Sequence, residues 1–416
     1  MVTLPEEFVH ETRQVLGEER FERYLQSFEE EPPVSIRLNP RKLKGSVADG
    51  SPVGDSFPCP SRFTVADGER VPWCEQGYYL PYRPQFTMDP LLHAGCYYVQ
   101  EASSMFLWHV LKSLECRTES VEFATALDLC AAPGGKSTLL RSLLPEDCEL
   151  ISNEPMRNRF QVLAENVAKW GYPNHHVTNL YPREFVKSKA HFDLILCDVP
   201  CSGEGMFRKD PATIAEWSLK KVKQCQSLQR EIVGDAWRIL NDDGLLIYST
   251  CTLNTKENEE NIRYFVEELG AEVLPVETLP EWNITGSLLP GFDQPVYRFI
   301  PGFSRGEGLF LCAMRKYTKH RTSNLTKATH CTSTFNPLPS SSVELSYPQA
   351  IAYLRGEALV LPADTPKGLV AMTYQGFALG QVKNIGSRAN NLYPKAWRIK
   401  TTHLPTEPPQ VLKKIE

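Results

Sequence analysis

From about Ala94 onward, apolar strands and amphipathic helices alternate along the chain, and this alternation constrains the fold more than any other feature of the 416 residues. Residues 121–130, 149–153, 192–197 and 244–249 read as buried strands, with a further strand ending near Thr178. Residues 104–114, 137–144, 157–170 and 212–240 carry the helical period. Asn254 or Thr255 is placed to cap a Glu-rich helix that runs to Leu269. Strand–helix alternation on this scale predicts a mostly parallel sheet covered on both faces, an α/β fold. No internal repeat is visible.

In an open α/β sheet, ligands bind beyond the carboxyl ends of the strands, so the residues that follow each strand carry the functional information. The first strand runs into Asp128-Leu-Cys-Ala-Ala-Pro-Gly-Gly-Lys-Ser, a turn of small residues leading into a helix. Small side chains let the backbone approach a ligand closely, and Gly134 and Gly135 permit positive φ. This is neither a Walker A loop, because Cys130 stands where its first glycine must be, nor a G-x-G-x-x-G turn. ATP and NAD are therefore disfavoured. The second strand ends in Asn153-Glu154, where a carboxylate is placed to accept both ribose hydroxyls of an adenosine cofactor.

The fourth strand runs into Asp198-Val-Pro-Cys201-Ser-Gly-Glu-Gly and the fifth into Ser249-Thr-Cys251-Thr. Two cysteines at neighbouring strand ends face one crevice. Cys197, among apolar neighbours, is expected in the core. Cys201 and Cys251 sit in polar company near predicted helix N-termini, which lower a thiol pKa. A metal site built from Cys197, Cys201 and Cys251 has no adjacent histidine, and no C-x-x-C pair supports zinc or a redox dithiol, so no metal is expected. Two thiols and a carboxylate beside an adenosyl group suit chemistry on a pyrimidine. Carbon 5 becomes nucleophilic only after addition at carbon 6, a step for a thiolate. The second thiol can remove, or help remove, the carbon-5 proton. The carboxylate can hold the cytosine amide edge as charge shifts toward N3.

Composition at first argues against a nucleic-acid partner, because the formal charge is −5 and the sequence pI is about 6.1. The charge is unevenly spread. Residues 315–416 hold 14 Lys+Arg and 5 Asp+Glu, giving +9, while the rest of the chain carries −14. The Ser/Thr-rich stretch 319–342 between them reads as a linker. Ahead of the α/β region, residues 6–28 form an amphipathic stretch, Val34-Ser-Ile-Arg-Leu-Asn-Pro-Arg alternates like a strand, and residues 57–90 suggest short strands and turns. The organisation expected is 1–93, 94–318, 319–342 and 343–416. With 42% hydrophobic and 23% charged residues, wholesale disorder is excluded. The acidic start, the scattered cysteines and the lack of an 18-residue apolar run predict a cytoplasmic protein with no membrane partner.

At Leu129-Cys-Ala-Ala-Pro-Gly-Gly-Lys136, Asp198-Val-Pro-Cys-Ser-Gly-Glu-Gly205 and Tyr248-Ser-Thr-Cys251 the sequence resembles the Nol/Nop/Sun family of RNA cytosine-5 methyltransferases, most closely its bacterial RsmF-like branch acting on small-subunit rRNA. The resemblance implies a Rossmann-like methyltransferase domain. It also implies an N-terminal ferredoxin-like, RNA-recognition-like unit and a C-terminal PUA-like β-barrel over 347–397. By it, Cys130, Ala131, Ala132, Pro133, Gly134, Gly135 and Lys136 cradle S-adenosylmethionine, Glu154 takes its ribose, and Asp198 lies between cofactor and base. Cys251 matches the nucleophile and Cys201 the product-releasing cysteine, while Arg159 matches a basic position near the cofactor. Where the family places an Asp near the adenine, this chain has Thr178-Asn-Leu-Tyr181-Pro, leaving Asn179, Tyr181 or backbone for that contact. Arg388, Lys395, Arg398 and Lys400, with Tyr393 and Trp397 nearby, suit phosphate contact and base stacking. The partner implied is RNA, small-subunit rRNA or the 30S particle, with no DNA, and the protein is expected to act as a monomer. The alternatives are a tRNA cytosine-5 methyltransferase and a non-catalytic RNA-binding assembly factor.

Overall fold

The computed structural model describes residues 2–43, 62–115, 123–317, 332–333, 339–401 and 403–415. Five parallel strands form the centre of the main sheet: Thr125–Asp128, Glu149–Asn153, His175–Thr178, Phe192–Asp198 and Leu240–Thr250, numbered first to fifth below. They lie in the order third, second, first, fourth, fifth. Strand order thus reverses between the first and fourth, opening a crevice at their carboxyl ends. Leu309–Lys316 continues the sheet antiparallel beside the fifth strand, register Tyr248↔Cys312. Alternation explains the burial on both faces: Leu194 and Leu196 point into one core, Ile195 and Cys197 into the other. Cys197 is fully buried, as its apolar neighbours predict.

The elements depart from the sequence expectations at several points, each with a physical reason. The first strand covers only Thr125–Asp128; residues 121–122 of the expected strand lie outside the described residues. The stretch 6–28 is two helices, Glu6–Leu16 and Glu18–Gln26, broken at Gly17 with φ +75°. Their Phe8, Phe21 and Tyr24 pack with Phe207, Trp217 and Leu253, beside the cysteine loops. The long helix expected over 212–240 is divided into Ala212–Glu216 and Leu219–Ile239. Trp217 turns inward there to donate from Nε1 to Glu204 at 2.9 Å, and Ser218 caps the second helix. The Glu-rich helix begins at Glu259 after Asn258, so neither Asn254 nor Thr255 caps it. Within 319–342, Thr332–Ser333 pairs with the third strand, and most of the remainder lies outside the described residues.

Ahead of the main sheet, a four-stranded antiparallel sheet runs Glu69–Arg70, Gly77–Leu80, Val34–Leu38, Tyr97–Val99. At the other end of the chain, Gly368–Tyr374 and Phe377–Asn384 form the centre of a second four-stranded sheet beside helix Tyr347–Leu354. These two units share one core, with Ile36, Leu80 and Tyr97 joined to Ile351, Tyr353 and Met372. Leu412–Ile415 pairs antiparallel with Arg62–Val65, tying chain end to N-terminal unit. Leu359 forms an isolated bridge with Ala389, and Val360 is 93% exposed. Tyr393 is buried against Tyr353 rather than free for stacking, whereas Lys383, Arg388, Lys395 and Lys400 are exposed. No helix among the described residues is long and apolar enough to cross a membrane.

One buried ion pair supports the segment after Cys251. Arg298 donates from Nε to Glu259 at 2.6 Å and from Nη1 to the Leu253 carbonyl at 2.8 Å. Both side chains are essentially inaccessible. Removing one partner leaves an uncompensated buried charge, so Arg298→Met is expected to lower stability by about 3–5 kcal/mol in urea unfolding. Arg298→Met combined with Glu259→Gln is expected to recover part of that loss.

Candidate active site

The small-residue loop after the first strand is held from several sides. The Ala131 amide donates to the Asn153 carbonyl at 2.8 Å. Asn166 Nδ2 donates to the Pro133 carbonyl at 2.8 Å, and Arg159 Nη2 to that of Ala132 at 2.8 Å. Gly134, at φ +110°, leads into helix Gly135–Leu143, a left-handed conformation that an L side chain strains to adopt. Arg37 of the N-terminal sheet reaches this helix, donating to Thr138 Oγ1 at 2.6 Å and to the Gly135 carbonyl at 3.2 Å. Burial pulls the Arg37 guanidinium down to about 10. The position of Arg37 in an alternating strand signalled burial of its neighbours, not this reach into the next domain.

Two acidic side chains border the loop with unused acceptor atoms. Asp128 Oδ2 accepts from Ser137 Oγ at 2.5 Å, while its buried Oδ1 has no hydrogen-bond partner. Burial pushes the Asp128 carboxyl up to about 7, against the Ser137 hydrogen bond. Glu154 follows the second strand and is 1% exposed. Its Oε1 accepts from the Met156 amide at 2.9 Å, and its Oε2 accepts no hydrogen bond, with Arg159 Nη1 3.2 Å away. Asn179 Nδ2 is committed to the carbonyls of Glu154 and Pro155 at 2.6 and 2.9 Å. Tyr181 remains 52% exposed.

At the ends of the fourth and fifth strands the remaining candidates converge. Asp198 stands opposite Ser249 in register. Its Oδ2 accepts from Lys136 Nζ at 2.8 Å and its Oδ1 from Ser249 Oγ at 2.7 Å. Burial works against the Lys136 ammonium, but Asp198, Cys251 and Asp128 together hold its pKa above the ordinary value. The Sγ atoms of Cys201 and Cys251 are 3.1 Å apart, both as free cysteines. The expected lowering of the Cys201 thiol by a helix N-terminus is corrected by this geometry. The hydrogen bond to Cys251, then burial, push Cys201 well above its ordinary value. Only the three-residue turn Glu204–Met206 follows Cys201, and the helix after Cys251 starts at Glu259. The Cys130 thiol is likewise pushed up by burial, which suits a backbone role for that residue.

Several groups around the thiols are not legible from motif spacing. Glu204, 2% exposed, accepts from the Leu253 and Asn254 amides at 2.8 and 3.1 Å. Glu257, fully buried, accepts from the Ser202 amide at 3.0 Å, Asn254 Nδ2 at 2.9 Å and Gln229 Nε2 at 2.7 Å. Burial pushes the Glu257 carboxyl up to about 7 despite these donors. Their sequence signal was weak, since Glu in a loop or a Glu-rich helix start usually faces water.

Comparison with known proteins gives three matches along the chain. The family model described as 16S rRNA methyltransferase RsmB/F matches residues 117–315, the N-terminal domain of 16S rRNA methyltransferase RsmF matches 4–102, and the methyltransferase RsmF PUA domain matches 340–399. A ribosomal RNA small subunit methyltransferase F from Enterobacter sp. (strain 638) is 30% identical over 379 residues, covering 88% of this chain and 72% of that protein. One from Pectobacterium carotovorum is 33% identical over 255 residues, and that alignment covers 60% of this chain and 51% of the relative, about half its length. Among solved structures, a methyltransferase homologue from Pyrococcus horikoshii superposes with a TM-score of 0.59 at 27% identity, over 76% of this chain and 96% of that one. NSun6 from the same organism, solved with SFG, shares the fold at TM-score 0.57 and 20% identity, over 76% and 99% of the two chains.

The thiol contact has a measurable consequence. The hydrogen bond to Cys251 is the largest cause raising Cys201. In Cys251→Ala that cause is gone, so the Cys201 thiol should ionise at lower pH than in the wild type. Peptide-resolved iodoacetamide labelling against pH is expected to show the Cys201 profile displaced downward; an unchanged profile contradicts the coupling.

Proposed function

The chain belongs to the 16S rRNA methyltransferase RsmB/F family, and on that premise we propose that it methylates carbon 5 of a cytosine in small-subunit (16S) rRNA with S-adenosylmethionine as donor. The observation that carries this reading is the pair of free thiols 3.1 Å apart in a crevice that also holds Asp198 and Lys136. A hydrolase or a small-molecule methyltransferase has no use for two apposed cysteines.

The residues present fit the cofactor. Glu154 Oε2, ion-paired with Arg159 but accepting no hydrogen bond, can accept from a ribose hydroxyl, and the Cys130–Lys136 loop offers backbone without bulky side chains. When bound, S-adenosylmethionine supplies an electrophilic methyl group beside the crevice. Lys136 and Ser249 orient Asp198 from either side, leaving it to hold the cytosine amide edge. Cys251 Sγ bonds to carbon 6, making carbon 5 nucleophilic. That bond removes Cys251 Sγ as partner in the Cys201 hydrogen bond, the largest cause keeping the proton on Cys201. Cys201 then gives its proton to solvent, and its thiolate takes the proton from the methylated carbon 5; the electron pair of that C–H bond restores the carbon 5–carbon 6 double bond and expels Cys251 as thiolate, releasing the base.

Reaching carbon 6 requires an extruded or unpaired base. In this reading the N-terminal unit, whose sheet takes in Tyr97–Val99 beyond the expected boundary at 93, and the 343–416 module present RNA to the central domain. The exposed Lys383, Arg388, Lys395 and Lys400 supply phosphate contacts.

Cys251→Ala is expected to abolish both methyl transfer and covalent RNA adduct, and Cys201→Ala to accumulate adduct visible as an RNA–protein band in denaturing gels. Efficient turnover by Cys201→Ala overturns its release role. Mapping 5-methylcytosine in cells with and without the protein tests the substrate: loss from 16S rRNA is expected, and loss confined to tRNA overturns the rRNA assignment.

A further inference from the structure

We propose that Glu204 and Glu257, bridged by Asn254, are positioning residues that fix the separation of the Cys201 and Cys251 thiols and so govern release of the enzyme from its product more than the initial attack. This rests on the reading given under Proposed function. The fourth and fifth strands set the two loops side by side only as far as the Val199 amide, which donates to the Ser249 carbonyl at 3.1 Å. Beyond that point the sheet ladder stops, and both thiols lie past it.

What continues the alignment is reciprocal. Glu204 sits on the Cys201 loop and grips the backbone of the Cys251 loop through the Leu253 and Asn254 amides. Glu257 sits on the Cys251 loop and grips the backbone of the Cys201 loop through the Ser202 amide. Asn254 Nδ2 lies 2.9 Å from Glu204 Oε1 and 2.9 Å from Glu257 Oε1, joining the two carboxylates. The loops touch at backbone level, with the Gly205 amide donating to the Cys251 carbonyl at 2.7 Å. A Cβ at Gly205 would lie 2.7 Å from that carbonyl oxygen.

Burying two carboxylates this close is costly: after burial itself, Glu204 is among the causes pushing Glu257 up. A link needed only for folding would be cheaper with neutral groups. Converging donors on both Glu257 oxygens explain why an acid is used: every partner presents N–H, so an amide in its place turns NH2 toward a donor. Attack at carbon 6 needs Cys251 alone to be aimed at the base. Release needs Cys201 to reach carbon 5 while Cys251 is still bonded to carbon 6. Loss of register between the loops therefore falls chiefly on release.

The test uses the full chain with Glu257→Gln and Glu204→Gln, and Asn254→Ser as a third variant should either fail to fold. In RNA-free protein, oxidised glutathione closes a Cys201–Cys251 disulfide: the two thiols lose two electrons and two protons, and glutathione disulfide is reduced to two thiols. Closure is expected to slow by about tenfold or more in the variants. With an RNA that the wild type turns over, single-turnover assays are expected to show adduct accumulating while its formation rate changes little. Disulfide closure at the wild-type rate, or adduct formation and release reduced by one common factor, overturns the proposal. If Cys201→Ala traps no adduct, the proposed chemistry fails, while the disulfide measurement still judges the positioning claim.

Discussion

Two thiols meet at 3.1 Å because the fourth and fifth strands run parallel and end level, Asp198 opposite Ser249. Every other feature of the site is arranged around that registration. The same pairing puts the Asp198 carboxylate beside the Ser249 hydroxyl and within reach of Lys136, which arrives from the neighbouring loop after the first strand. Three strand ends thus supply a cation, a carboxylate and two thiols to one crevice, and the reversal of strand order between first and fourth is what leaves room for it.

Keeping such groups together is costly, and the protein offsets the cost with dense hydrogen bonding rather than exposure. Glu204, Glu257, Asn258, Glu259 and Asn261 are all buried within a short span of sequence around Cys251 and its partner loop. Asn258 Oδ1 accepts from Thr250 Oγ1 at 2.6 Å, and Asn261 Nδ2 donates to Gln229 at 2.8 Å, so each buried polar group has a partner on a neighbouring element. The N-terminal helices add a further wall, with Phe8 packing edge-on to Trp217 at 5.3 Å. Residues remote in sequence therefore pack against Phe207 and Leu253 on the two thiol-bearing loops.

Much of this was legible beforehand, for reasons that differ by residue. The parallel sheet followed from strand–helix alternation because burial on both faces demands continuous apolar strands. The cysteine pair followed from position, since residues just past adjacent strands must share a crevice. Helix Arg157–Trp170 matched its expected span because Gly171, at φ +74°, is the signal that ends it. The break at Trp217 was hidden, because it depends on a hydrogen bond to Glu204, 13 residues away and on another loop. Tyr393 is unavailable as a stacking platform for a similar reason: its ring is taken by Tyr353 and a core shared with the N-terminal unit.

By itself, the sequence determined the class of fold, the crevice and the chemical identities of the groups lining it. These depend on periodicity and on what immediately follows a strand, which are local properties. Only the tertiary structure decided that contact with Cys251 holds the Cys201 thiol up, which acids are buried, and how the N-terminal sheet reaches the helix after the small-residue loop through Arg37. Those outcomes turn on distances between segments up to about a hundred residues apart, and the electrostatics of a buried group are set by neighbours in space, not in sequence.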